Sequence, residues 1–157
     1  MTTTKQSVSV AIRWLVRHDY DDVLDIEDSS EFGWTLDVLH HHQCQRNVVG
    51  MVAEHGEKVV GFFVYALYRD RFALLNFAVH PYYRRLGVGR QMIAKLVGKL
   101  SGDRRNRIVA NIHESNLPMQ LFLRANGFKA ERVDGEFYRF VRRLTESARR
   151  VAELMGD

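Results

Sequence analysis

Residues 76–92 read NFAVHPYYRRLGVGRQM, and this stretch decides the fold. Its first four residues close an apolar run that begins at Phe72 (FALLNFAV), and Pro81 then stops sheet pairing, because proline has no backbone donor. Arg84, Arg85, Gly87, Gly89 and Arg90 lead straight into helical spacing, where Val88, Met92, Ile93, Leu96, Val97 and Leu100 recur. Glycines at a strand-to-helix turn let the backbone bend tightly and approach a ligand. A helix start adds unpaired N–H groups and a positive dipole end. With arginines on both sides, the segment reads as a phosphate cradle. The competing reading is an ordinary structural turn, since Gly-x-Gly is common there. A Walker loop needs a Gly-Lys-Ser/Thr ending, which Arg90 and Gln91 do not supply. A dinucleotide fingerprint needs a third glycine where Met92 stands, and it would open the fold rather than follow three strands.

Upstream, residues 48–53, 59–68 and 72–79 read as strands joined by short polar turns, which predicts an antiparallel meander. The near-continuous apolar character of the third run predicts burial on both faces. Residues 8–16 read as a first strand, a helix follows from Asp19, and a second helix runs to Cys44 with Thr35 as its N-cap. Downstream, residues 107–113 alternate as a strand. Ser115 or Asn116 caps the next helix, Pro118 fits its first turn, and Asn126-Gly127 ends it. Two short strands follow, near residues 128–133 and 137–144, and residues 145–157 read as an extra C-terminal helix. The order βααβββαβαββ predicts an α/β chain built on a mixed sheet, with residues 1–144 as one domain.

Composition agrees with that plan. The chain has 157 residues, 46% hydrophobic and 27% charged, which excludes a disordered chain, a collagen and a disulfide scaffold. No run of roughly 18 apolar residues is present, so no membrane span or membrane partner is expected. The single cysteine, Cys44, has no internal partner, which points to a reducing, cytoplasmic setting. A net charge of +4 favours an anionic partner without specifying nucleic acid.

The motif Arg84-x-x-Gly87-x-Gly89, preceded by residues 76–81 (NFAVHP), resembles the acetyl-CoA motif of the GCN5-related N-acetyltransferases. Ser115-Asn116, Leu121-Phe122 and Asn126-Gly127-Phe128 are similar to that family's second cofactor-side motif. Residues 47–58 and 75–81 look most like the bacterial ribosomal-protein alanine N-terminal acetyltransferases. The resemblance implies the acyl-CoA N-acyltransferase fold, a mostly antiparallel mixed sheet splayed in the middle and flanked by helices. It implies acetyl-CoA as co-substrate and no metal. The acceptor it implies is an amine, foremost a protein N-terminus such as that of a ribosomal protein, with a small-molecule amine as the alternative. The pyrophosphate is expected on backbone N–H groups of Arg85, Leu86, Gly87, Val88, Gly89 and Arg90, with Arg84 beside them. The pantetheine arm is expected along Phe77, Ala78 and Val79, with Asn116 as a further contact and a Val79 N–H polarising the thioester carbonyl.

The sequence departs from the pattern where the chemistry lies. The relatives' strand glutamate falls on Asn111, which cannot accept a proton, and their tyrosine falls on Leu123, which has none to give. Glu114, His113 or His80 as base and Tyr138 as acid are the candidate substitutes. Transfer by proximity alone, or a coenzyme A-binding module with little turnover, are the other readings. Phe32 and Trp34 are candidates to line the acceptor channel, with core packing as the competing role. His41 and Cys44 share a helix face, but two ligands do not make a zinc site, and a solvated helix end with Cys44 partly buried is the better reading. The oligomeric state is open.

Overall fold

The computed structural model describes residues 6–28 and 33–144. Seven strands form a sheet in the order β1-β2-β3-β4-β5-β7-β6. They are β1 (Ala11–Trp14), β2 (Val48–His55), β3 (Lys58–Leu67), β4 (Phe72–Val79), β5 (Arg107–His113), β6 (Lys129–Asp134) and β7 (Phe137–Arg143). The helices are α1 (Tyr20–Glu27), α2 (Leu36–Gln43), α3 (Val88–Val97) and α4 (Leu117–Ala125). The element order is the one the periodicity predicts. The expected C-terminal helix lies outside the described residues.

The chain divides into two compact units, one made of Met1–Tyr65 and Asn76–Lys95, the other of Ala66–Leu75 and Leu96–Asp157. In the first unit β1 pairs antiparallel with β2, from Ala11↔Glu54 to Trp14↔Met51. Asp21 and Asp22 occupy the first turn of α1, where negative charge meets the dipole, and Thr35 Oγ1 caps α2 by accepting the Val38 N–H. Arg13 locks this end: its guanidinium donates to both oxygens of buried Asp19 at 2.7 Å and to Glu54 Oε1 at 2.7 Å. The pair holds the Asp19 carboxyl below the usual range, chiefly through the hydrogen bond from Arg13. Val23, Ile26, Leu39, Val52, Val60, Phe62, Phe63 and Met92 supply this unit's core.

In the second unit β4 and β5 run parallel, with the register Phe72↔Ile108 to Leu74↔Ala110. β7 pairs antiparallel with both β5 and β6, and a bulge interrupts the β6 side between Ala130 and Arg132. Leu96, Ile108, Leu123, Phe128 and Phe140 are its core.

Two expectations are corrected. The doubly buried strand is β3, buried from Val59 to Ala66, not β4. In β4 only Phe72 and Leu74 are buried, and residues 75–79 stay half-exposed although they are mostly apolar. The reason is the register: β4 continues to Val79 past its last pair with β5, at Leu74. Cys44 is exposed rather than partly buried, with Sγ 3.6 Å from His40 Nε2 one turn back.

Candidate active site

After β4, a 3-10 turn spans Pro81–Tyr83, and Arg84 is extended. Arg85 then takes φ +63° and Gly87 φ +83°. The left-handed region suits glycine but costs an ordinary residue roughly 1 kcal/mol, so Arg85 holds strain inside the loop. The first i→i−4 bond of α3 runs from the Gln91 N–H to the Gly87 carbonyl at 3.2 Å. The N–H groups of Val88, Gly89 and Arg90 precede it and have no partner within the helix. Arg84, Arg85 and Arg90 are exposed, Leu86 is half-buried, and Val88 and Gly89 are buried.

The loop is clasped from behind by a residue that sequence reasoning missed. Gln91 Nε2 donates to the carbonyls of Val8 (2.7 Å) and Gly87 (3.0 Å), and Gln91 Oε1 accepts the Val10 N–H at 3.1 Å. The Val8 N–H adds a bond to the Leu86 carbonyl at 2.9 Å. Nothing in local spacing marks Gln91, because its partners Val8 and Val10 lie 83 and 81 positions away.

The β4 backbone has a clear polarity. The His80 N–H donates to the Val60 carbonyl at 2.8 Å, and a Cβ on Gly61 would lie 3.2 Å from the Ala78 carbonyl oxygen. Ala78 and His80 thus face β3, and by strand alternation the amides of Phe77 and Val79 face the other edge. The Phe77 N–H is already taken by Asn76 Oδ1 at 2.8 Å, and the Val79 carbonyl accepts from Arg84 Nε at 3.2 Å. Behind Asn76 lies Glu27, 3% exposed, whose Oε1 accepts from Asn76 Nδ2 at 3.0 Å and whose Oε2 accepts the Trp34 N–H. Burial pushes this carboxyl up, and the two hydrogen bonds only partly offset that.

An apolar strand edge left half-exposed feeds a left-handed glycine turn and three helix-start amides without a partner among the described residues, an arrangement suited to an anionic group. The family model for the acetyltransferase (GNAT) family matches residues 10–128. This chain is a member of the GNAT family. Among solved structures, this GNAT chain is similar to the ribosomal-protein-S18-alanine N-acetyltransferase of Escherichia coli. That match has 20% identity and TM-score 0.71, covering 88% of this chain and 97% of the other. It is similar to the PaiA N-acetyltransferase of Thermoplasma acidophilum, solved with coenzyme A, at 17% identity and TM-score 0.66, covering 87% and 100%. It is also similar to Ard1 of Thermoplasma volcanium, at 23% identity and TM-score 0.73, covering 88% and 100%. No curated protein sequence matches the chain.

The remaining candidates of this GNAT chain lie in the second unit, at the ends of β5 and β7 and the start of α4. Asn116, not Ser115, is the α4 cap, with Oδ1 accepting the Met119 N–H at 3.4 Å. His113 Nδ1 accepts the Ser115 N–H at 3.1 Å, so in the neutral ring the proton sits on Nε2, 3.4 Å from Glu136 Oε2. Glu114 is exposed, its N–H donating to the Glu136 carbonyl at 2.7 Å. Tyr138 is half-buried and pairs with Ile112, whereas His113 pairs with Phe137. Residues opposite each other share a face, so Tyr138 and His113 project from opposite faces of this sheet. Asn111 is exposed opposite Arg139, and Arg139 in turn pairs with Arg132 on β6. Leu123 is 0% exposed, a core residue of α4.

In the first unit, Trp34 is half-buried and its ring stacks on His42, with centroids 4.4 Å apart and planes 16° apart. Burial and His41 hold His42 below its ordinary value. Phe32 lies outside the described residues. His80 Nδ1 accepts the Tyr82 N–H at 3.2 Å, so His80, like His113, presents Nε2 as a donor when neutral. Desolvation and Lys58 keep it on the neutral side. Among the described residues no group of three or more His, Cys, Asp or Glu is placed to hold a metal, and no helix is long and apolar enough to cross a membrane.

Proposed function

We propose that this GNAT protein transfers the acetyl group of acetyl-CoA to a protein N-terminal α-amino group, with residues 1–144 acting as one acetyltransferase domain. The observation that carries the reading is the β4 edge from Phe77 to Val79, half-exposed and continuous with the glycine turn. Acetyl-CoA supplies the thioester: the acceptor nitrogen bonds to the acetyl carbon, the C–S bond breaks, the amine loses one proton and the thiolate takes one up. The amides of Val88, Gly89 and Arg90, flanked by Arg84 and Arg85, hold the phosphates. Phe77 and Val79 hold the arm in strand-like fashion, with Ala78 between them turned toward β3, and the Val79 N–H polarises the carbonyl. Asn116 is a further cofactor contact, through the amide nitrogen that capping leaves over.

Glu114 is the proposed base and Tyr138 the proposed acid, because His80 and His113 each have Nδ1 engaged by a backbone N–H. Trp34, with Phe32, is proposed to border the acceptor. The Escherichia coli and Thermoplasma volcanium structures support the fold of such an enzyme, and the N-terminal acceptor, a ribosomal protein included, is our reading. The exposed thiol of Cys44 suits a reducing cytoplasm.

The test combines binding and turnover. Acetyl-CoA is expected to raise Tm, and Gly89→Glu to abolish the shift by placing a carboxylate among the phosphate donors. Thiol release from acetyl-CoA is then followed with peptides of varied N-terminus and with polyamines. Release with peptides supports the proposal, release with polyamines alone moves the acceptor to small molecules, and a Tm shift without release identifies a binding module. No Tm shift rejects the cofactor assignment.

A further inference from the structure

The register of β6 on β7 places two arginines opposite each other. Lys129 pairs with Val141 and Ala130 with Phe140, so an unbroken ladder would set Glu131 against Arg139. The bulge after Ala130 takes Glu131 out of the pairing, and Arg132 stands opposite Arg139 instead. Glu131 accepts a hydrogen bond from Arg143, and its charge acts on Arg139 only through space. On the other side of Arg139 is Asn111, which carries no charge. The row Asn111, Arg139, Arg132 thus crosses β5, β7 and β6 on one face of the second unit's sheet with two positive charges. Neither arginine has an ion pair among the described residues. Asn111 and Arg132 are exposed and Arg139 is half-buried.

Like charges directly opposite one another destabilise a sheet. The bulge replaces a possible ion pair by such a contact and leaves both guanidinium groups open to an anion from outside. Neighbouring strands lie about 4.8 Å apart, so both can donate to one carboxylate, with the Asn111 amide as a further donor. The row lies one strand period, about 7 Å, from the pair His113 and Phe137, and Glu114 follows at the end of β5. An acceptor chain extended from an α-amino group at Glu114 rises about 3.3 Å per residue, which brings a side chain from roughly its first four residues level with the arginines. We propose that Arg139 and Arg132, with Asn111, form an acceptor subsite for an acidic side chain, so that the preferred substrates are protein N-termini with Asp or Glu among roughly their first four residues. The inference rests on the N-terminal acetyltransferase reading of this protein and adds the class of acceptor it selects.

Matched peptides test it, identical except for Glu, Gln or Lys at one of the early positions. With the full chain and saturating acetyl-CoA, kcat/KM for thiol release is expected to be about tenfold higher for Glu than for Gln, carried mainly by KM, and lower still for Lys. Arg132→Gln and Arg139→Gln should each reduce that preference several-fold, with Tm equal or higher because a like-charge contact is relieved. Arg139→Glu should invert it, so that the Lys peptide exceeds the Glu peptide. A wild type that treats Glu and Gln peptides alike overturns the proposal. So does a Glu preference that survives both substitutions to Gln, or a fall in Tm with the preference unchanged, which assigns the pair a structural role alone. If no peptide releases thiol, the N-terminal acceptor reading fails and takes this proposal with it. If all three peptides are acetylated equally well, only this proposal fails.

Discussion

Tyr138 and His113 sit one register step apart on β7 and β5 and point to opposite faces of the sheet, Tyr138 beside Ile112 and His113 beside Phe137. Two groups on opposite faces do not exchange a proton through a common substrate atom. Their contributions should therefore be independent. We expect Tyr138→Phe to lower kcat on the order of a hundredfold, the range of a lost general acid. His113→Gln should lower it by less than about tenfold, and the double variant should equal the product within about twofold. Steady-state thiol release checks this. A double variant no worse than Tyr138→Phe alone would place both groups in one proton path, against the geometry.

Arg85 and Gly87 share the left-handed turn but for different reasons, and substitutions separate them. Gly87→Ala is expected to cost about 1 kcal/mol or more of stability, because the new Cβ meets a φ of +83°. Arg85→Gly should leave Tm unchanged or raise it, by relieving a φ of +63°, yet weaken acetyl-CoA by removing a cation from the proposed phosphate cradle. Calorimetry with and without acetyl-CoA reads both effects, and a destabilised Arg85→Gly contradicts the strain argument.

Gln91 ties residues 8–10 to the back of the glycine loop with three side-chain hydrogen bonds. Gln91→Ala should cost about 1–3 kcal/mol, since partly buried carbonyls and an amide lose their partners. It should also raise KM for acetyl-CoA several-fold with little change in kcat, because the loop loosens without loss of a reacting group. Chemical denaturation and kinetics test the two halves separately.

Arg13 and Asp19 set an acid limit on stability. Asp19 is held below its ordinary value, so its contribution is fully present above the unfolded pKa, near 4, and is lost as pH falls through the lower folded value. Asp19→Asn should remove about 2 kcal/mol at neutral pH, discounted because the Arg13 side chain is 39% exposed. It should also flatten the loss of stability below about pH 4. Thermal melts across pH 2.5–7 check the slope. A wild-type curve that is flat in that window would contradict the assignment.

Leu123 shows how far local reading reached. The absence of a proton there is legible in the sequence, but not that α4 turns this side chain fully into the core while Leu117 and Leu121 stay exposed. A tyrosine at that place would have to displace core atoms rather than reach a leaving group. Asn111 was legible as a departure from its relatives, while Arg139 across from it came only from the strand register. The half-exposure of β4 beyond Leu74 is not legible in its apolar run, because composition does not say whether a neighbouring strand covers it.

The sequence by itself determined the element order, the glycine turn and a helix cap at Ser115 or Asn116, because each depends on residues within one turn or one strand of each other. Tertiary structure alone decided the rest. Glu27 reaches Asn76 over 49 positions and Gln91 reaches Val8 over 83. Neither pairing has a local period to betray it. Which face Tyr138 and His113 take is set by pairing β5 with β7, and a single-residue slip of that register would have reversed it.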